Sequence, residues 1–152
     1  MTDPEIADLL DRGYRYALSL THDSPAAEDL LQDAWSGVLA SGGTWSRAYL
    51  FRAIKNKWID GHRRGLVVDF QPLKQEVPVG ANTHDLARDL DAALATLRPE
   101  EREVLYLNVV EGWTARELSE RLDRPRNTVL SLIHRARIKL KDRLTVVQEV
   151  NP

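Results

Sequence analysis

The sequence predicts an all-α protein made of two small helical domains joined by a linker, the C-terminal domain carrying a helix-turn-helix. Apolar positions recur every three or four residues along nearly the whole chain, as in Ile6, Leu9, Leu10, Gly13, Tyr14, Ala17 and Leu18, and no run alternates long enough to argue for a strand. The segment Gly65 to His84 breaks that rhythm with two prolines, two glycines and no sustained period. Further on, Gly112 to Arg126 sets a capping pair, a turn residue and a proline at the spacing of two helices meeting at a tight turn.

Taken in order, the pattern predicts helices over 4–20, 25–40, 46–64, 85–97, 99–110, 114–122 and 126–143. Ser24-Pro25 offers the second helix a cap followed by proline at its first position, and Gly42-Gly43 stops it. Pro99 with Glu100 and Glu101 starts the fifth, the carboxylates lying where the helix dipole favours negative charge. Domain limits follow as 1–64, a linker over 65–84, 85–144, and a tail over 145–152. Within the linker, Leu66, Val67, Val68, Phe70 and Leu73 favour docking over free movement.

The helix-turn-helix has a local chemical basis. Thr114 and Glu117 have capping-box spacing, so a helix starts at Thr114 and runs to Leu122. Asp123 tolerates a left-handed turn, and Pro125 suits the start of a second helix. Leu118 and Leu122 would pack on Val129, Ile133 and Ala136, leaving Arg126, Asn127, Ser131, His134, Arg135, Arg137, Lys139 and Lys141 exposed. In this motif the second helix enters the major groove, with its N-terminal residues at base edges. Asn127, Thr128 and Ser131 are the candidates for bases; Arg126, Arg135, Arg137, Lys139 and Lys141 are those for phosphate. A plain helical hairpin with a solvated basic face is the bland alternative.

Charge is segregated behind a net −2: residues 1–44 sum to −6, 45–64 to +5, 65–97 to −3, 98–144 to +3, and the tail to −1 through Glu149. Separate faces for a polyanion and for a protein would produce such alternation. The basic stretch Trp45 to Arg64 also holds Trp45, Tyr49, Phe51 and Trp58, rings able to receive an unstacked base, although Leu50, Ile54 and Trp58, four apart, read as core.

Several function classes are excluded. No cysteine is present, and His22, His62, His84 and His134 are scattered without ligand spacing, so no metal, cofactor or thiolate chemistry is expected. No glycine-rich phosphate loop or activated nucleophile appears, and the chain is not expected to be an enzyme. No stretch approaches the roughly 20 apolar residues of a membrane span, and the acidic start is unlike a secretory signal, so a cytoplasmic protein without membrane insertion is expected.

Across nearly its whole length apart from the linker, the chain resembles the extracytoplasmic-function (ECF) sigma factors of RNA polymerase. The likeness rests on Ala27-Glu28-Asp29-Leu30-Leu31-Gln32-Asp33-Ala34-Trp35 and on Tyr49-Leu50-Phe51-Arg52 followed by Asn56, Asp60, Arg63 and Arg64. In the C-terminal half it rests on Leu97 to Leu105, Glu111-Gly112-Trp113-Thr114, Asn127-Thr128-Val129 and Arg135 to Leu140. The resemblance implies that Asp29, Leu30, Gln32, Asp33 and Trp35 dock on the clamp helices of the largest subunit of core RNA polymerase. It implies that Asn56, Asp60, Arg63 and Arg64 meet the minus-ten element of promoter DNA, with the loop Ala40 to Thr44 helping to form a base pocket. The C-terminal domain would read the minus-thirty-five element through Arg126, Asn127, Thr128, Ser131, Arg135, Arg137 and Lys139 while resting on the second-largest subunit. An anti-sigma factor is the further partner implied.

Some positions depart from the family pattern. Asp123 and Asn127 stand where glycine is usual, Tyr49 where tryptophan is common, and Ala53-Ile54 reverses a common order. Leu130 and Leu132 occupy positions commonly basic, so upstream recognition is expected to be weak or unusual. Two rival readings are a sigma-like decoy that binds an anti-sigma factor, and an ordinary helix-turn-helix regulator with an N-terminal sensing domain. A decoy has no need of the basic helix with Asn56, Asp60, Arg63 and Arg64.

Overall fold

The computed structural model describes residues 2–42, 46–63 and 83–150, and their side chains except at 62–63, 83–85 and 146–150. The regular structure there is helical throughout: α1 (Asp3–Thr21), α2 (Ser24–Ser41), α3 (Arg47–Arg63), α4 (Thr83–Ala95), α5 (Pro99–Val109), α6 (Ala115–Leu122) and α7 (Arg126–Val150). The fold is all-α, as expected. Most of the linker, Gly43, Thr44, Trp45 and Arg64 lie outside the described residues. The loop expected from Ala40 begins later, because Ala40 and Ser41 still belong to α2 and Gly42 ends it at φ 61°. Helix α7 runs seven residues past the expected Arg143, since no breaker intervenes before Pro152 and the Thr145 hydroxyl caps inward on Lys141 O at 2.7 Å. The expected irregular tail is thus helical to Val150.

The chain divides into two compact units, Met1–Asp69 and Phe70–Pro152. In the first, α1, α2 and α3 pack on one another. Buried Leu9, Gly13, Tyr16, Ala17 and Leu20 form one stripe of α1, at the three- and four-residue spacing that a helix face requires. Tyr16 stacks on Phe51 of α3, ring centroids 4.6 Å apart. The cap of α2 is Asp23, whose carboxylate accepts the Ala26 N–H at 3.0 Å, and not the expected Ser24. Both residues are good caps, but only the one in extended backbone can turn its oxygen onto the first turn; Ser24 instead bonds the Tyr14 hydroxyl at 2.7 Å.

Gly13 permits the close approach of these helices. A Cβ there would lie 2.8 Å from Leu50 Cδ2 and 3.0 Å from Leu31 Cδ1, and Leu50 is itself buried. Gly13→Val is therefore expected to destabilise this unit by about 2 kcal/mol, the overpacking outweighing the gain in helix propensity. A urea titration checks it, and an unshifted midpoint would contradict the packing argument.

In the second unit, Leu97, Leu105 and Ala136 centre a core onto which Leu94 and Leu140 pack, drawing α4, α5 and α7 together. Leu118 of α6 and Val129 of α7 are fully buried where those helices cross. Gly112, at φ 74°, turns the chain out of α5 into α6.

Candidate functional site

Three surfaces collect the residues singled out by the sequence. On α2, buried Ala27, Ala34 and Val38 fix the inward side, so Asp29, Gln32 and Asp33 emerge on the opposite, exposed side. Leu30 and Trp35 are half-buried along the two edges of that face. The five residues thus make one strip, with carboxylates at the centre and apolar groups at the margins.

On α3, buried Leu50, Phe51 and Ile54 point inward, as predicted for the first and third, while Trp58 is half-buried. Tyr49, Arg52, Asn56 and Asp60 are exposed and fall within one third of the helix circumference. Arg63 continues this register on the backbone; its side chain, like all of Arg64, lies outside the described residues. Lys55 stands over the Trp58 ring at 5.1 Å, so the aromatic serves core and cation at once. The surface combines a row of polar hydrogen-bonding groups with flanking cations.

The third surface is the helix-turn-helix. Thr114 caps α6 by accepting the Glu117 N–H at 3.1 Å, and its hydroxyl donates to Glu117 Oε1 at 3.2 Å. Asp123 takes the left-handed conformation at φ 52°, and the Ser119 hydroxyl donates to Arg124 O at 2.6 Å, closing the turn. Arg124 then reaches back to Glu100 at 2.6 Å, tying the turn to the start of α5. With Val129, Ile133 and Ala136 buried, α7 exposes Arg126, Asn127, Thr128, Ser131, Arg135 and Arg137. These lie where the sequence predicts.

Two side chains lie closer to the core than expected. Lys139, expected on the exposed face, is half-buried, and its ammonium bonds Oε1 of Glu101, a residue only 1% exposed, at 2.7 Å. A buried carboxylate without a cation is costly, so the lysine turns inward to meet it. Leu132 is half-buried at the core edge, one residue before Ile133, whereas Leu130 is exposed.

Sequence reasoning did not find the polar network beneath this surface. Glu101 Oε1 also accepts the Arg98 N–H at 2.9 Å. Burial pushes the Glu101 carboxyl up, but the bonds from Lys139 and Arg98 prevail and hold it below its usual value. Burial of Arg102 pushes its guanidinium down to about 10, opposed by the Glu101 charge, and it donates to Leu97 O at 2.7 Å. The Asn108 amide donates to Trp113 O at 2.9 Å and accepts from Arg137 at 3.4 Å. Pro99-Glu100-Glu101 signals a helix start, but Arg98 is no ordinary cap residue and conceals the reciprocal bond.

No group of three or more His, Asp or Glu side chains able to hold a metal occurs among the described residues. No described helix is long and apolar enough to cross a membrane.

Comparison with known proteins agrees on both units. Residues 6–65 match the family model for sigma-70 region 2, and residues 87–140 that for sigma-70 region 4. The chain is 35% identical over 149 residues to the ECF RNA polymerase sigma factor SigE of Mycolicibacterium smegmatis, covering 88% of this chain and 58% of that protein. It is 34% identical over 137 residues to the ECF RNA polymerase sigma factor SigL of Mycobacterium tuberculosis, covering 81% of this chain and 77% of SigL. Among solved structures, it resembles the sigma factor RpoE of Bartonella quintana, crystallised with the anti-sigma factor NepR. That match has a TM-score of 0.71 and 26% identity, over 94% of this chain and 96% of the other.

Proposed function

The chain belongs to the ECF RNA polymerase sigma factors, and from that premise we propose that it binds core RNA polymerase and directs transcription initiation at specific promoters. The observation that carries the reading is the segregation of faces. An acidic strip with apolar margins lies on α2, a row of polar residues with cations lies on α3, and a helix-turn-helix exposes α7. The first suits a protein partner and the other two suit nucleic acid.

On this reading the 1–64 domain does two tasks. Asp29, Leu30, Gln32, Asp33 and Trp35 dock on the largest polymerase subunit; Asn56, Asp60, Arg63 and Arg64 engage the minus-ten element as its strands part. The 85–144 domain rests on the second-largest subunit and sets the start of α7 in the major groove of the upstream element. Arg126 and Arg135 steer it on phosphate, and Asn127, Thr128 and Ser131 face bases. Lys139, paired with Glu101, joins α7 to α5 beneath this surface. The protein acts in the cytoplasm beside the polymerase, performs no chemistry itself, needs no cofactor, and is restrained by an anti-sigma factor that covers these same faces.

Run-off transcription by core polymerase on a library of upstream fragments tests the reading. Transcripts that appear only with the protein, and fall at least tenfold with Asn56→Ala combined with Arg63→Ala and Arg64→Ala, are the expected outcome. Tight binding to core without any transcript would replace the reading with a decoy. Duplex binding without polymerase would replace it with an ordinary regulator.

A further inference from the structure

The outer face of α7 has an unusual centre. Asn127, Ser131 and His134, spaced three or four apart, lie opposite buried Val129, Ile133 and Ala136, and Leu130 adjoins them about a quarter turn from the buried side. None of the four is Lys or Arg. Leu130 is 43% exposed and belongs to the N-terminal part of α7, the part of a recognition helix that contacts base edges. The neighbouring cations flank this face: Arg135 on one side and, on the side of Leu130, Arg126 at the helix start and Arg137 with its guanidinium at Asn108.

The chemistry of the base edges selects a partner for this surface. Guanine offers two acceptors that require a donor such as arginine, and an aliphatic side chain pressed on them would leave them dry and unbonded. Thymine alone presents a methyl group in the major groove, and adenine presents the donor and acceptor pair that an asparagine amide matches. A leucine beside an asparagine is thus complementary to A·T pairs.

We infer that Leu130 is a specificity-determining residue, seated on the C5-methyl group of a thymine in the upstream element, with Asn127 bonding an adenine one or two pairs away. The assignment rests on the sigma-factor reading above. It turns the departure at Leu130 from a lost phosphate contact into a gained apolar one, so recognition is altered in kind and not merely weakened.

The test uses holoenzyme formed from the full chain. Duplexes are first selected from a pool randomised over the upstream element, and the selected duplex is then remade with each thymine replaced singly by deoxyuridine, which lacks only the methyl. At one position the loss should weaken binding about fourfold, the worth of one buried methyl group. Leu130→Ala should bind the two duplexes equally. Ile138→Ala, also on an exposed position but two turns further along, should keep the full methyl effect. Selection of a sequence without any methyl-sensitive thymine, or methyl sensitivity that survives Leu130→Ala, overturns the assignment while leaving the sigma-factor reading intact. Failure of the holoenzyme to select any sequence overturns both. Unchanged far-ultraviolet circular dichroism of Leu130→Ala confirms that the variant folds.

Discussion

Replacing Glu101 by alanine should destabilise the C-terminal unit by about 3 kcal/mol, the lower end of what loss of one partner of a buried ion pair costs. The lower end applies because the Lys139 side chain, 42% exposed, keeps some water when its partner goes. The variant leaves the Arg98 N–H and the Lys139 ammonium without their shared acceptor and opens a gap between α5 and α7. Glu101→Gln should cost less, since an amide oxygen still accepts the Arg98 N–H. The pH dependence has a definite sign. Because the folded carboxyl titrates below its ordinary value, its stabilisation is present above the unfolded pKa and is lost as pH falls through the folded one. Urea midpoints taken from pH 7 down to pH 3 should therefore fall less steeply for Glu101→Gln than for the unaltered chain. Parallel slopes would mean that the pair contributes nothing to folding.

The second large effect concerns α2. Reversing both Asp29 and Asp33 to arginine should lower affinity for core polymerase at least thirtyfold, about 2 kcal/mol, because like charges are then placed where the acidic strip meets a complementary surface. Both positions are exposed, so the unfolding midpoint should move by less than about 0.5 kcal/mol. Titration of labelled core polymerase reads the affinity directly. Retained affinity would remove the outer face of α2 from the docking surface, even if transcription were impaired for another reason.

How much could be foreseen differs by the range of the interaction. Each helix is visible in the sequence because its signals are local: a three- to four-residue apolar rhythm, a cap such as Thr114, and a turn residue such as Asp123. The faces follow from those rhythms, which is why Asn56 and Asp60, or Asn127 and Ser131, emerge where expected. Leu132 could have been placed the same way, since Val129, Ile133 and Ala136 define an inward side that it borders. Lys139 could not. Its partner Glu101 is 38 residues away, and only the packing of α5 against α7 makes them neighbours. The same holds for Asn108 with Arg137 and for Gly13, whose necessity depends on Leu50 and Leu31 arriving from other helices.

The inward turn of Lys139 changes how binding should respond to salt. When a cationic side chain meets a DNA phosphate, the ions condensed on that phosphate are set free, and each such exchange steepens the fall of affinity with salt by about 0.9 in logarithmic slope. Lys139 on Glu101 and Arg124 on Glu100 already hold anions of the protein's own, so contact with a duplex there sheds no condensed ions. The C-terminal unit should consequently draw less of its affinity from counterion release than its count of basic residues suggests, and more from contacts that ionic strength leaves untouched.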